Sequence, residues 1–180
     1  MNMQLYWFTL LMCFIIITPA VLYLISFKKA PQGLALLRTG FGRTKAAFSG
    51  IIAYPIIHQT KLVDIKTKVI TIEKSGREHW KLKDNCKLEG RFTFYVRING
   101  NEKDVLKAAF WIGDDTIESK VLPRFKELFE HAIITIFNQT NAENWKSNRE
   151  RLKMEIVSRI GADLYGFILD DLAIDRVKVH

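Results

Sequence analysis

The first 27 residues carry no charged side chain, and every charge in the chain falls after them. From Leu5 to Phe27 the apolar run is unbroken, LYWFTLLMCFIIITPAVLYLISF. As a helix rising 1.5 Å per residue it extends about 34 Å, enough for a hydrocarbon core of about 30 Å. Tyr6, Trp7 and Phe8 stand at one end and Tyr23 and Phe27 at the other, as rings do at the two interfaces of a bilayer. Pro19 lies inside the run and is compatible with a helix in lipid. A cleaved leader is the competing reading, with Thr18-Pro19-Ala20 as a weak small-residue site. The run lacks a basic segment before it, and more apolar residues follow Ala20. The pattern therefore predicts a short N-terminus over 1–4 and a transmembrane helix over 5–27.

Beyond the run the period changes twice. Gly33–Thr39 is apolar and is closed by the turn signal Gly40-Phe41-Gly42. Lys45–Ser49 and the apolar Ile51-Ile52-Ala53-Tyr54-Pro55-Ile56-Ile57 follow, and Pro55 argues against a central strand. Leu62–Glu73 reads as one Val/Ile/Thr-rich strand whose alternation slips near Val69-Ile70, the mark of a bulge. Leu88–Ile98 alternates over its whole length, with Leu88, Phe92, Phe94, Val96 and Ile98 on one face: a half-buried strand of an antiparallel sheet.

From Asn101 the spacing is helical. Asn101–Trp111 forms a helix ended by Gly113, and Asp114 and Asp115 are N-cap candidates for the next. Ile117, Val121, Phe125, Leu128, Ala132 and Ile136 mark that helix, with Pro123 between its opening turn and its body. A second amphipathic helix carries Trp145, Leu152, Ile156 and Ile160. Phe167–Val179 is a last strand, with Leu169, Asp171 and Ala173 opposite Ile168, Leu172 and Ile174. The expected fold class is α+β, with a basic β-rich subdomain over 28–100 and a helical subdomain over 101–180.

Charge sharpens this picture. The chain has 27 basic and 19 acidic residues, and residues 28–100 hold 15 of the former against 5 of the latter. The half next to the bilayer is thus strongly basic and suited to an anionic leaflet. Met1–Gln4 carry no basic residue, whereas Lys28, Lys29, Arg38, Arg43 and Lys45 follow the run, so the body is expected in the cytoplasm and the N-terminus outside. One cysteine, Cys13, lies in the apolar run and the other, Cys86, in the body, which suits a reducing compartment.

The chemistry of an enzyme is not visible. His58, His79, His131 and His180 are not at metal-ligand spacing. Gly40–Lys45 lacks the ending of a phosphate loop and reads as a turn. Asp114-Asp115 and Asp170-Asp171 are adjacent pairs, which point apart. Gly90–Val96 is only loosely like an RNA-stacking strand, and core packing explains Phe92 and Phe94 better. No catalytic residue, cofactor, metal or nucleic-acid partner is expected.

Three stretches carry a resemblance. Ala30–Gly42, Ser49-Gly50 through Tyr54-Pro55-Ile56-Ile57-His58, and Asn148-Arg149-Glu150 before an amphipathic helix are similar, in that order, to bacterial flotillins. The chain resembles the stomatin–prohibitin–flotillin (SPFH, band 7) family, closest to its flotillin-like inner-membrane branch. The resemblance implies an α+β domain against the membrane, no catalysis, no cofactor, and large homo-oligomers that organise membrane microdomains or regulate membrane proteases. A small membrane-anchored enzyme is the rival class. Flotillins continue into an Ala/Glu-rich coiled coil, and no heptads occur up to His180.

Candidate contacts with lipid follow from the apolar segment in the basic half. Phe48, Ile51, Ile52, Tyr54, Ile56 and Ile57 are expected to enter the cytoplasmic leaflet shallowly, with Lys28 and Lys29 beside the span and Lys45 and Lys61 at head-group level. An ordinary buried edge strand is the alternative reading of Ile51–Ile57.

Overall fold

The computed structural model describes residues 3–161 and 164–180. The described chain forms two compact units, Met1–Asp64 and Ile65–His180. The charge pattern changes near residue 100, but the packing divides earlier, because the long strand expected over 88–98 is the centre of the second unit.

In the first unit α1 spans Met3–Ser26, with Pro19 inside it. The chain passes without a linker into β1, Phe27–Lys29. Then come β2 (Leu34–Gly40), β3 (Lys45–Ala47), β4 (Gly50–Ile52) and β5 (His58–Asp64). β1 pairs antiparallel with β4, and β2 lies between β3 and β5, also antiparallel. The strand β1 was not visible in the sequence, because Phe27 read as the end of the apolar run and Lys28 and Lys29 as its basic flank. The core of this unit is small: Ala35, Leu36, Leu37, Ala53 and Val63 are buried.

The second unit contains β6 (Lys68–Lys74), β7 (Trp80–Lys81), β8 (Lys87–Ile98) and β9 (Phe167–Val179). β8 is central, with β6 and β7 along one side and β9 along the other. The single strand expected over 62–73 is two strands: the chain turns at residues 65–67, and the slip in alternation marks that turn rather than a bulge. Real bulges occur between β8 and β9. One of them inserts Asp170, so that Leu169 faces Val96 and Leu172 faces Phe94. Leu169 and Leu172 therefore share a face, contrary to the simple alternation expected of this strand.

The helices are α2 (Glu102–Ile112), α3 (Leu122–Phe137), α4 (Ala142–Ser147) and α5 (Arg149–Ile160). Asn101 caps α2 by accepting from the Asp104 N–H, and Gly113 ends it. The next start is capped by Thr116, in a reciprocal pair with Ser119, rather than by Asp114 or Asp115. A hydroxyl one residue before the helical turn reaches the free N–H groups that the two aspartates do not. That turn, Ile117–Val121, is a π-helix, and Pro123 sits in the first turn of α3. The helix expected around Trp145 and Leu152 is broken at Asn148 into α4 and α5. In α3 Phe129 is buried and Leu128 faces solvent, reversing the expected choice between neighbours.

An aromatic core joins sheet to helices. Phe94 stacks on Phe129 at 4.5 Å, and Trp80 meets Phe92 edge-on at 5.1 Å. Phe137 and Trp145 meet edge-on at 5.3 Å. Phe92 and Phe94 are fully buried, so they are packing residues.

Candidate membrane-contacting surface

Among its described side chains α1 is exposed from Tyr6 to Ile25 apart from the half-buried Thr18, and Ser26 at its end is buried. Its segment Tyr6–Ser26 is long and apolar enough to cross a membrane. The rest of the first unit therefore begins where the helix stops, and strand direction decides which residues return to that level.

β1 carries the chain away from the helix end, β2 returns, β3 leaves again, β4 returns and β5 leaves. The ladder between β1 and β4 is extended at both ends by further bonds. The Ala30 N–H donates to the Ser49 carbonyl (2.9 Å) at the far end, and the Ala53 N–H to the Ser26 carbonyl (2.7 Å) at the helix end. The four residue steps from Ser26 to Ala30 separate the two ends by about 13 Å.

This geometry divides the expected site. Tyr54, Ile56 and Ile57 form a turn that continues past Ser26 on the helix side, and Ile56 is 97% exposed. Lys28 sits in the ladder opposite Ile51, with Ile52 opposite Phe27. Ile51 and Ile52 are half-buried edge-strand residues, which agrees with the alternative reading for that part of the segment. Lys29 and Phe48 stand at the far end, where they line a groove of ≈ 580 Å³ with Ala30, Pro31, Gln32 and Ser49. Phe48 thus lies at the opposite end of the ladder from Ile56.

The sequence reading missed Phe41. The turn after β2 lies at the same end as Tyr54–Ile57, and the Phe41 N–H donates to the Ile57 carbonyl (3.2 Å). Phe41 is 83% exposed. Gly40 permits this approach: it has φ +122°, and a side chain there would strike the Ile57 carbonyl oxygen. In sequence Phe41 was hidden inside a glycine turn, where punctuation outweighed its side chain. His58 completes the tip. Its Nδ1 accepts from the Tyr54 N–H (3.1 Å), its Nε2 lies 3.2 Å from the Phe41 carbonyl, and its ring stacks on Tyr54.

Behind the tip is a basic row. Arg38 pairs with Lys45 across β2–β3, and Lys61 pairs with Leu37 across β2–β5. Arg38 is two residues from Gly40, about 7 Å from the tip, which is the spacing between acyl boundary and head groups. Arg38 also donates through Nη1 to the Ile52 carbonyl (2.9 Å) and so fixes the second edge of β4.

Several polar side chains of the second unit brace its own fold. Arg149, at the start of α5, donates through Nη2 to the Ile174 carbonyl of β9. Lys153, one turn later, pairs with Asp171 at 2.9 Å, and Asp171 in turn accepts from the Leu172 N–H. Lys153 first and that N–H second hold the Asp171 carboxyl below the usual carboxylate range. The Asn148-Arg149-Glu150 stretch thus braces an outer strand. Asp170 pairs with Arg97, and Asp115 with Lys120, so neither adjacent aspartate pair is a matched acid and base. Asp84 lies below its ordinary value, chiefly because the Ala142 N–H at the start of α4 donates to it. Among the described residues no group of three or more His, Cys, Asp or Glu is placed to hold a metal ion.

Comparison with known proteins places this architecture. The family model described as SPFH domain / Band 7 family matches residues 28–180. The chain belongs to this family. It is 24% identical over 140 residues to the flotillin family inner membrane protein YqiK of Escherichia coli (strain K12), covering 77% of this chain and 25% of that protein. It is likewise 24% identical over 173 residues to the flotillin family inner membrane protein sll1021 of Synechocystis, covering 92% of this chain and 26% of that one. The chain spans about a quarter of the length of these curated relatives. The SPFH match begins at Lys28, directly after the apolar helix, so this is a membrane-associated SPFH protein.

Proposed function

We propose that the protein is a membrane-anchored, flotillin-like scaffold. It holds and positions other molecules without a catalytic step, self-associates, and organises membrane microdomains from the cytoplasmic face of the inner membrane. The observation that carries the reading is the return of Tyr54–Ile57 and Phe41 to the end of α1, with basic residues a short step behind. A span followed by an apolar tip and a basic row makes two attachments to one leaflet. Two attachments orient a body that a single helix would leave free to swing. A fixed orientation is what side-by-side assembly on a membrane requires. The inner-membrane names of the two relatives support the location. Lys28 and Lys29, after an uncharged N-terminal end, support a cytoplasmic body.

Two experiments test this. The native mass of the detergent-solubilised full chain is expected to be several times the 20.9 kDa of one copy. A monomer would remove the scaffold reading. A reporter active only in the periplasm, fused after His180, is expected to stay silent, and activity would reverse the orientation.

A further inference from the structure

We propose that His58 is a positioning residue that ties the two apolar turns into one membrane-entering tip, and that it does so only as the neutral imidazole with hydrogen on Nε2. The inference rests on the membrane-contact reading above and goes beyond it to how the contact is held. A carbonyl only accepts and an amide N–H only donates. The Phe41 carbonyl beside Nε2 therefore requires hydrogen on that nitrogen, and the Tyr54 N–H beside Nδ1 requires a bare lone pair there. One ring thus bridges the turn that carries Phe41 and the turn that carries Ile56. The His58 N–H donates to the Tyr54 carbonyl as well (2.9 Å), closing the second turn on itself.

A second proton on Nδ1 would set a donor against the Tyr54 N–H and undo that bond. The charged residues near the ring in this unit are mostly basic. Arg38 and Lys45 share its sheet face, and Arg43 lies in the Phe41 turn. The nearest acid in sequence is Asp64, at the other end of β5, and residues 1–57 contain none. Tyr54, stacked on the ring, is the remaining titratable neighbour. Protonation of Nδ1 should therefore loosen the tip.

The test uses the full chain in vesicles of phosphatidylglycerol and phosphatidylethanolamine. Ile56→Cys carries an environment-sensitive fluorophore, with Cys13 and Cys86 replaced. At pH 7.5 the label is expected to emit as in lipid, and at pH 5 to shift toward its emission in water. His58→Ala should give the water-like spectrum at both pH values. His58→Gln, which still reaches the Phe41 carbonyl but does not titrate, should give one spectrum at both. If His58→Ala matches the parent at both pH values, or His58→Gln keeps the full pH response, the proposal is overturned. If His58→Ala does not fold, the comparison of His58→Gln with the parent decides it alone. A label already in water in the parent at pH 7.5 would instead overturn the membrane-contact reading beneath.

Discussion

Residues 65–180 turn their large rings inward: Phe92, Phe94, Phe125, Phe129 and Phe137 are almost completely buried. Residues 1–64 do the opposite, with Phe41 and Ile56 nearly bare and a core made of Ala and a few aliphatic side chains. The charges differ in parallel. The first unit holds six basic residues and one acidic, the second 21 and 18. In the second, Lys68, Lys74, Arg91 and Arg97 are each paired with a carboxylate. A unit that closes its own core and balances its own charge is built to fold in water. A unit with exposed apolar tips and mostly one sign of charge has the features that the proposed contact with an anionic bilayer requires.

The contrast is broken most severely in the second unit. Phe129→Ala should cost about 3–5 kcal/mol, a large part of the about 5–15 kcal/mol that holds a domain together. Denaturant unfolding should show it as a lowered midpoint. Ile56→Asp should change stability by less than about 0.5 kcal/mol, because nothing packs on that side chain. It should nevertheless remove a burial in lipid worth about 1.5–3 kcal/mol. Ile52→Asp, in the half-buried β4, should lower stability as well as membrane contact. The same midpoint measurement on the two aspartate variants therefore separates tip from edge strand.

These differences also explain what was legible. The span, the strand over Leu88–Ile98 and the stop of α2 at Gly113 were plain, since each rests on a local period or a local turn signal. The three-residue β1 was not, because its identity comes from pairing with Gly50–Ile52, twenty-odd residues on. The turn at residues 65–67 was masked by a continuous Val/Ile/Thr composition. Of the candidate site, Tyr54, Ile56 and Ile57 were legible as apolar residues without a period. Phe41 and His58 were not, because only the return of two strands to one end brings them there.

Smaller effects sharpen the comparison. Arg43→Gln and Lys45→Gln should each weaken contact of the tip with an anionic bilayer by about 1 kcal/mol, roughly fivefold, with neutral vesicles and high salt hiding the difference. Titrating the lipid-facing fraction of a label at Ile56 against the anionic-lipid fraction measures this. The smallest change belongs to Asp84. Its carboxyl is depressed in the fold, so its contribution is present above the ordinary value of 3.8 and is lost as the pH falls through its lower folded value. The amide resonance of Ala142 should move over that acid range, and Asp84→Ala should abolish the movement.

Depth along the first unit decides the central claim most directly. Spin labels placed singly at residues 41, 48 and 56 of the full chain in proteoliposomes can be compared for collision with oxygen, which favours lipid, and with a water-soluble nickel complex. Residues 41 and 56 should favour oxygen and residue 48, at the far end of the ladder, the nickel complex. Equal exposure of all three to the nickel complex, or a lipid-facing 48 with 41 and 56 in water, would contradict a tip that returns to the membrane at the end of α1.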